Sequence, residues 1–155
     1  MNDVKTGYVL RLARWPEDIS PIREVRTEVF IAEQHVTPEE EWDGFDDQCA
    51  HALAFDDDGN AIATGRLLPD GKIGRMAVRK SWRGKGVGAA ILELLMNEAR
   101  DQGHETVKLA AQVHAIPFYE KFGFHRYGNQ FMDAGIPHYW MKAVLQPERL
   151  AETGD

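Results

Sequence analysis

Residues able to do chemistry are concentrated in one stretch, Met76-Ala77-Val78-Arg79-Lys80-Ser81-Trp82-Arg83-Gly84-Lys85-Gly86-Val87-Gly88. A strand-like run gives way to glycines at alternate positions, and a helical apolar stripe then begins at Val87. The first N–H groups of a helix have no partner within it and sit at the positive end of its dipole, so they hold anions well. Glycine lets the main chain approach an anion without a Cβ in the way, and Arg83 and Lys85 bring positive charge to the same place. The chemistry predicted is phosphate binding; a glycine-rich turn with ordinary surface cations is the competing reading. Two familiar phosphate loops do not fit. The Gly-Lys-Ser/Thr ending is missing because Lys85 is followed by Gly86, and a dinucleotide Gly-x-Gly-x-x-Gly is missing because position 89 is Ala.

Such a loop has to be carried by a strand and a helix, and the chain supplies both. Tyr8 to Arg14 alternates like an opening strand. Ser20 and Pro21 make a helix start, and Ile22, Val25, Val29 and Ala32 continue it to about Glu33. His35 to Gln48 is acidic and lacks periodicity, which predicts a loop with at most a short helical turn. Ala50 to Phe55, Ala61 to Leu68 and Lys72 to Arg79 are strand-like runs separated by turn residues, an antiparallel meander. A helix from Val87 is ended by Gly103. A strand over Thr106 to Gln112, a short helix over Pro117 to Phe122, and strands over His125 to Phe131 and His138 to Leu145 follow. This order predicts an α/β fold, a mixed and mostly antiparallel sheet flanked by helices, in place of a doubly wound nucleotide fold.

Composition narrows the functional classes. The chain has 155 residues, enough for one domain, expected over 1–145 with a frayed tail over 146–155. No apolar run is long enough for a membrane span, and the N-terminal residues lack the apolar core of a secretory signal, so a cytoplasmic protein without membrane contact is expected. Cys49 is the single cysteine, which excludes an intramolecular disulfide and a cysteine-rich zinc site; no metal is expected. A net charge of −7 speaks against nucleic-acid binding. That charge is unevenly placed. Thr27 to Gly65 holds eleven acids and no Lys or Arg, whereas Gly71 to Lys85 holds six cations and no acid. The basic segment would suit an anionic ligand and the acidic one, over 33–47, a cationic amine; plain solvated surface is the alternative.

Arg83, Gly86 and Gly88 match the Arg/Gln-x-x-Gly-x-Gly/Ala pattern of the GCN5-related N-acetyltransferases (GNAT), and Ala115-Ile116-Pro117-Phe118-Tyr119-Glu120-Lys121-Phe122-Gly123-Phe124 resembles that family's Ala-x-x-Phe-Tyr-x-x-x-Gly-Phe segment. Val29-Phe30-Ile31-Ala32-Glu33-Gln34, Ala111-Gln112-Val113-His114 and Gly135-Ile136-Pro137-His138 look like a bacterial ElaA-like subgroup. The resemblance covers Tyr8 to Leu145. It implies a single-domain acyl-CoA N-acyltransferase fold, with acetyl-CoA as cosubstrate and direct attack of a primary amine on its thioester in a ternary complex. Main-chain groups of Met76, Ala77 and Val78 would pair with the pantetheine arm, and a backbone N–H near Val78 would polarise the thioester carbonyl. Arg83, Gly84, Lys85, Gly86, Val87, Gly88 and Ala89 would hold the pyrophosphate, with Gln112, Phe118 and Lys121 completing the cofactor contacts. Many relatives have Asn where Gln112 stands, one methylene shorter.

By the same resemblance Tyr119 occupies the position of the general acid; packing beside Phe118 and Phe122 is the other reading of that tyrosine. An alkyl ammonium is only roughly one part in a few thousand neutral at pH 7, so a base is useful. Candidates are Glu33, His51 and His114, with His138 either lining the same pocket or serving in a turn. His51 shares a face with Leu53 and Phe55, which equally fits a core histidine. The acceptor is expected to be a small-molecule or peptide amine. A non-catalytic acyl-CoA-binding sensor is the alternative function, and four Trp and seven Phe would suffice for a core or cover a homodimer face.

Overall fold

In the computed structural model, which describes residues 3–5 and 7–146, every predicted element is present and a few are added. Strands β1 (Asp3–Lys5), β2 (Tyr8–Leu12), β3 (Ala50–Asp56), β4 (Ala61–Leu67) and β5 (Ile73–Val78) form one antiparallel sheet in sequence order. Strand β6 (Thr106–Gln112), β7 (His125–Asp133) and β8 (Ile136–Val144) form a second, in the order β6-β8-β7. Helices α1 (Ile19–Arg26) and α3 (Val87–Asp101) are long; α2 (Pro38–Glu41) and α4 (Ile116–Glu120) are single turns. The fold is the expected α/β class, with antiparallel sheets flanked by helices. Most of the tail expected over 146–155 lies outside the described residues. Among the described residues, no helix is long and apolar enough to cross a membrane.

All seven residues of β4 are buried because a helix covers each face of the sheet. Alternation sends Leu53 to the side of α1, against Ile22, Val25 and Val29, while Ala52 and Ala54 meet α3 through Ile91, Leu92 and Leu95. Gly65 is what lets α3 come so close: a Cβ there would stand 2.9 Å from Ile91 and 3.0 Å from Leu95.

The start of α1 differs from the sequence expectation. Asp18 takes the position before the first turn, and its carboxylate is drawn away to the Arg14 N–H (2.7 Å) and the Arg11 guanidinium (2.7 and 3.1 Å), so Ser20 lies inside the helix. Past Arg26 the helix widens to π geometry over Thr27–Glu33, a form that often accompanies functional sites.

The acidic loop is not a free anionic surface. Arg26 is buried and binds Glu41 and Asp46 at 2.7 Å each. Arg66, also buried, binds Asp43 and Asp46, and Arg75 reaches Glu41 and Asp43. Half of the loop's charge, that of Glu41, Asp43 and Asp46, is therefore neutralised inside the protein, where it clamps α1 and α2 to the sheet, while Glu39, Glu40 and Asp47 stay exposed.

His51 belongs to this polar core, stacked on Trp15 at 4.8 Å with Nε2 2.8 Å from the Asp46 carbonyl oxygen. Burial pushes its pKa below the ordinary imidazole value. The unfolded chain then takes up the proton first, so this stabilisation is present above about pH 6.5 and lost as pH falls below it. Bonds from Arg66 hold the Asp43 carboxyl low, and Asp46 is held low by Arg26 and Arg66 against the opposing effect of burial; both contributions are lost further down, below about pH 4. Glu41, pushed upward by burial, works in the opposite sense. Urea titrations across pH should show stability declining from about pH 6.5 and more steeply below about pH 4. The His51→Gln variant should lack the first decline, and a wild type equally stable at pH 7 and pH 5 would contradict the assignment.

Candidate active-site cleft

Strands β5 and β6 touch only where they begin. Lys72 and Lys108 form a lone parallel bridge, and the Lys108 N–H donates to the Gly71 carbonyl at 3.2 Å. Beyond that point the strands part into separate sheets and leave a cleft of about 530 Å³ between them. A bulge accompanies the divergence. Arg75 and Met76 together oppose Gly65, and Arg75 takes a left-handed φ of 49°, uncommon for a residue with a side chain. Its guanidinium is secured by the Glu40 and Glu41 carbonyls, each at 3.2 Å, so the polar core steadies the bend in β5.

The bend leaves the outer edge of β5 facing the cleft. The Arg79 N–H donates to the Ile62 carbonyl at 2.9 Å, on the β4 side. Strand alternation then turns the N–H and C=O of Val78 off the opposite edge. The Val78 carbonyl is met there by Arg83 Nε at 2.8 Å.

Past a 3-10 turn at Lys80–Trp82, Gly84 and Gly86 take φ values of 76° and 83°, which glycine alone adopts without strain. Helix α3 starts with Gly86 at its cap and no side chain bonded to its first amides. A Cβ at Gly84 or Gly86 would meet nothing within 4 Å, and one at Gly88 only Val78 (3.6 Å) and Phe118 (3.9 Å). Lys85 stands over the Trp82 ring at 5.0 Å. Open space, unbonded amides and adjacent cations suit a diphosphate.

Tyr119 lines the cleft from α4, packed edge-on to Phe118 (5.1 Å) and Phe124 (5.9 Å), its hydroxyl 3.9 Å from Met76 Sδ. Burial pushes its pKa up to about 12, so it stays protonated. Met76, Ala77, Val78, Arg83, Gly88, Gln112 and Phe118 also line the cleft. Gly84, Lys85, Gly86, Val87 and Ala89 adjoin it as the loop and first turn of α3. Gln112 donates to Gln34 Oε1 at 3.1 Å, bringing the two sides of the cleft together.

Three residues expected at the site are not brought into the cleft. His51 is held in the polar core. Glu33 is paired with the Arg83 guanidinium at 2.5 Å, a contact that engages its carboxylate with a cation. Lys121 is exposed at the end of α4. The histidines His114 and His138 do line it. So do Phe30 and Gln34, to which sequence reasoning gave no individual site role, and Lys72 and Arg75, expected there only as part of the basic stretch. The glutamine had a signal in its motif and Lys72 in the basic run, but no sequence pattern announces an arginine with positive φ.

Comparison with known proteins gives a consistent result. A family model described as an acetyltransferase (GNAT) domain matches residues 17–145. The Bacillus subtilis protein YjcF, described as an uncharacterized N-acetyltransferase, is 38% identical over 134 residues, covering 84% of this chain and 95% of its own length. Among solved structures, an acyl-CoA N-acyltransferase from Pseudomonas aeruginosa has 27% identity and a TM-score of 0.77 over 87% of this chain and 99% of its own. Escherichia coli ElaA has 25% identity and a TM-score of 0.77 over 86% and 98%.

Proposed function

Because this chain belongs to the GNAT acetyltransferase family, we propose that it moves an acetyl group from acetyl-CoA to the primary amine of a small molecule or peptide, by direct attack with both substrates bound. The observation that carries this reading is the continuity of the cleft. It runs from the open amides at the start of α3, along the free edge of β5 at Val78, to the hydroxyl of Tyr119.

Acetyl-CoA supplies the activated acyl group as a thioester; the remaining chemistry falls to the chain. The amides of Val87, Gly88 and Ala89, with Gly84, Lys85 and Gly86, hold the diphosphate. Arg83 reaches it by exchanging Glu33 for phosphate, so Glu33 keeps the guanidinium in position. Of the stretch Met76, Ala77 and Val78, the main-chain groups that face the cleft bind the amide-rich arm as an added strand, while Ala77 keeps its pairing with Thr64 in β4. The Val78 N–H stabilises the charge that develops on the carbonyl oxygen, a contribution of about 2.7–4 kcal/mol for one such donor. Phe118 packs against the arm, and Tyr119 gives its proton to the departing sulfur.

Two measurements test the proposal. Free thiol released from acetyl-CoA is followed across polyamines, aminosugars, amino acids and peptides, with turnover expected for at least one class. Gly86→Val is expected to weaken CoA binding by tenfold or more in calorimetry while the fold persists, because a β-branched residue is strained at that φ. Unchanged affinity would show that the diphosphate lies elsewhere.

A further inference from the structure

We infer that His138 is the base that takes the proton from the acceptor's ammonium group, an inference that rests on the acetyl transfer proposed above. The surroundings of the ring fix its tautomer. A neutral imidazole has one N–H, and a carbonyl oxygen only accepts. His138 Nδ1 stands 2.7 Å from the Ile136 carbonyl oxygen, so the proton is on Nδ1 and the lone pair on Nε2. Among the described residues this is the ring's only hydrogen bond. With Nδ1 tied to the chain behind it, Nε2 is the nitrogen left to meet a ligand.

Position and rigidity agree with that role. His138 is 7% exposed, lines the cleft, and pairs across the sheet with Gln112. Phe131 stacks on the ring at 5.8 Å, and Phe131 itself stacks on Trp140 at 5.6 Å, which fixes the imidazole plane. The other groups near the cleft are committed or exposed, and Asp133, which also lines it, stands in solvent. Glu33 is held by Arg83, Glu41 by Arg26 and Arg75, and Glu40 by the cap it forms with Thr37. His51 has its Nε2 at a backbone carbonyl outside the cleft, and His114 is exposed.

The protons balance. His138 Nε2 removes one from R–NH3+, and the neutral amine forms the C–N bond as the C–S bond breaks. Tyr119 passes its proton to the sulfur and recovers one from the new amide nitrogen, and His138 releases its own to water. The sum is ammonium plus thioester giving amide, thiol and one proton.

The test uses the full chain and the best acceptor from the amine panel. His138→Gln is expected to lower kcat by about 10²–10⁴-fold with CoA affinity unchanged, the usual range for a positioned acid or base. His125→Ala, an exposed histidine of β7 that does not line the cleft, should leave kcat unchanged. The deficit of His138→Gln should shrink with a β-fluorinated analogue of that acceptor, whose weaker base has less need of deprotonation, an effect that a packing role would not produce. Should the glutamine variant fold poorly, His138→Asn is read in the same way. Imidazole 15N NMR of the wild type should report the Nδ1–H tautomer. A kcat within threefold of wild type, a deficit blind to acceptor basicity, or an Nε2–H tautomer would overturn the inference while leaving acetyl transfer standing. A wild type that binds no CoA and releases no thiol with any amine would instead remove the transfer reading, and this inference with it.

Discussion

Arg26→Met is expected to destabilise the protein by about 3–5 kcal/mol, the range found when one partner of a buried ion pair is removed. For a domain of this size that is a fall in Tm of roughly 6–20 °C. The arginine side chain is 1% exposed and the Glu41 carboxylate 3%, so the mutation leaves a buried anion with only the longer contact to Arg75, at 3.4 Å. It also withdraws a bond from Asp46 and the guanidinium that lies over Trp42 at 4.9 Å. Methionine fills similar volume, so the loss measures charge more than cavity. The double variant Arg26→Met/Glu41→Leu should recover much of it, since no under-compensated Glu41 charge remains. Thermal and urea unfolding decide the matter, and a single-mutant loss below about 1 kcal/mol would mean that water reaches the network.

That arginine network marks the boundary of what the sequence could disclose. Apolar alternation and turn residues foretell the meander of β3, β4 and β5 because those signals are local, and the glycine spacing at 84, 86 and 88 foretells the open turn into α3 for the same reason. The partners of Glu41, Asp43 and Asp46 are not local. They come from α1, β4 and β5, so a run of acids reads as amine-attracting or solvated surface when three of its members form a buried clamp. The splitting of the sheet is equally silent, since it follows from Arg75 and Met76 opposing the single Gly65, a register that only the paired strands reveal. His51 shows the same gap in reverse: its residue type suits a base, but Trp15 and the Asp46 carbonyl decide its place. His138 gains its significance from a hydrogen bond to the residue two before it, which no periodicity encodes.

Tyr119→Phe is expected to reduce kcat by about 10²–10⁴-fold, the range for a positioned acid, with little change in CoA affinity or stability. The ring's packing against Phe118 and Phe124 survives the substitution, and the hydroxyl's hydrogen bond among the described residues, to Met76 Sδ at 3.9 Å, is weak. What is lost is a proton that burial keeps in place: with a pKa of about 12 the phenol remains neutral at pH values where an exposed tyrosine ionises. The same shift restricts how the proton moves. A thiol near 8.5 is a stronger acid than this phenol, and the gap corresponds to roughly 5 kcal/mol for complete transfer on its own. In the proposed transfer Tyr119 would therefore give its proton to the sulfur as it recovers one from the nitrogen, never standing as a free phenolate. Activity should hold through pH 10 with no loss from ionisation of this group, because its neutral form is the competent one and is favoured up to about 12. A phenylalanine variant within threefold of wild-type kcat would assign the tyrosine to packing and send the thiolate's proton to water.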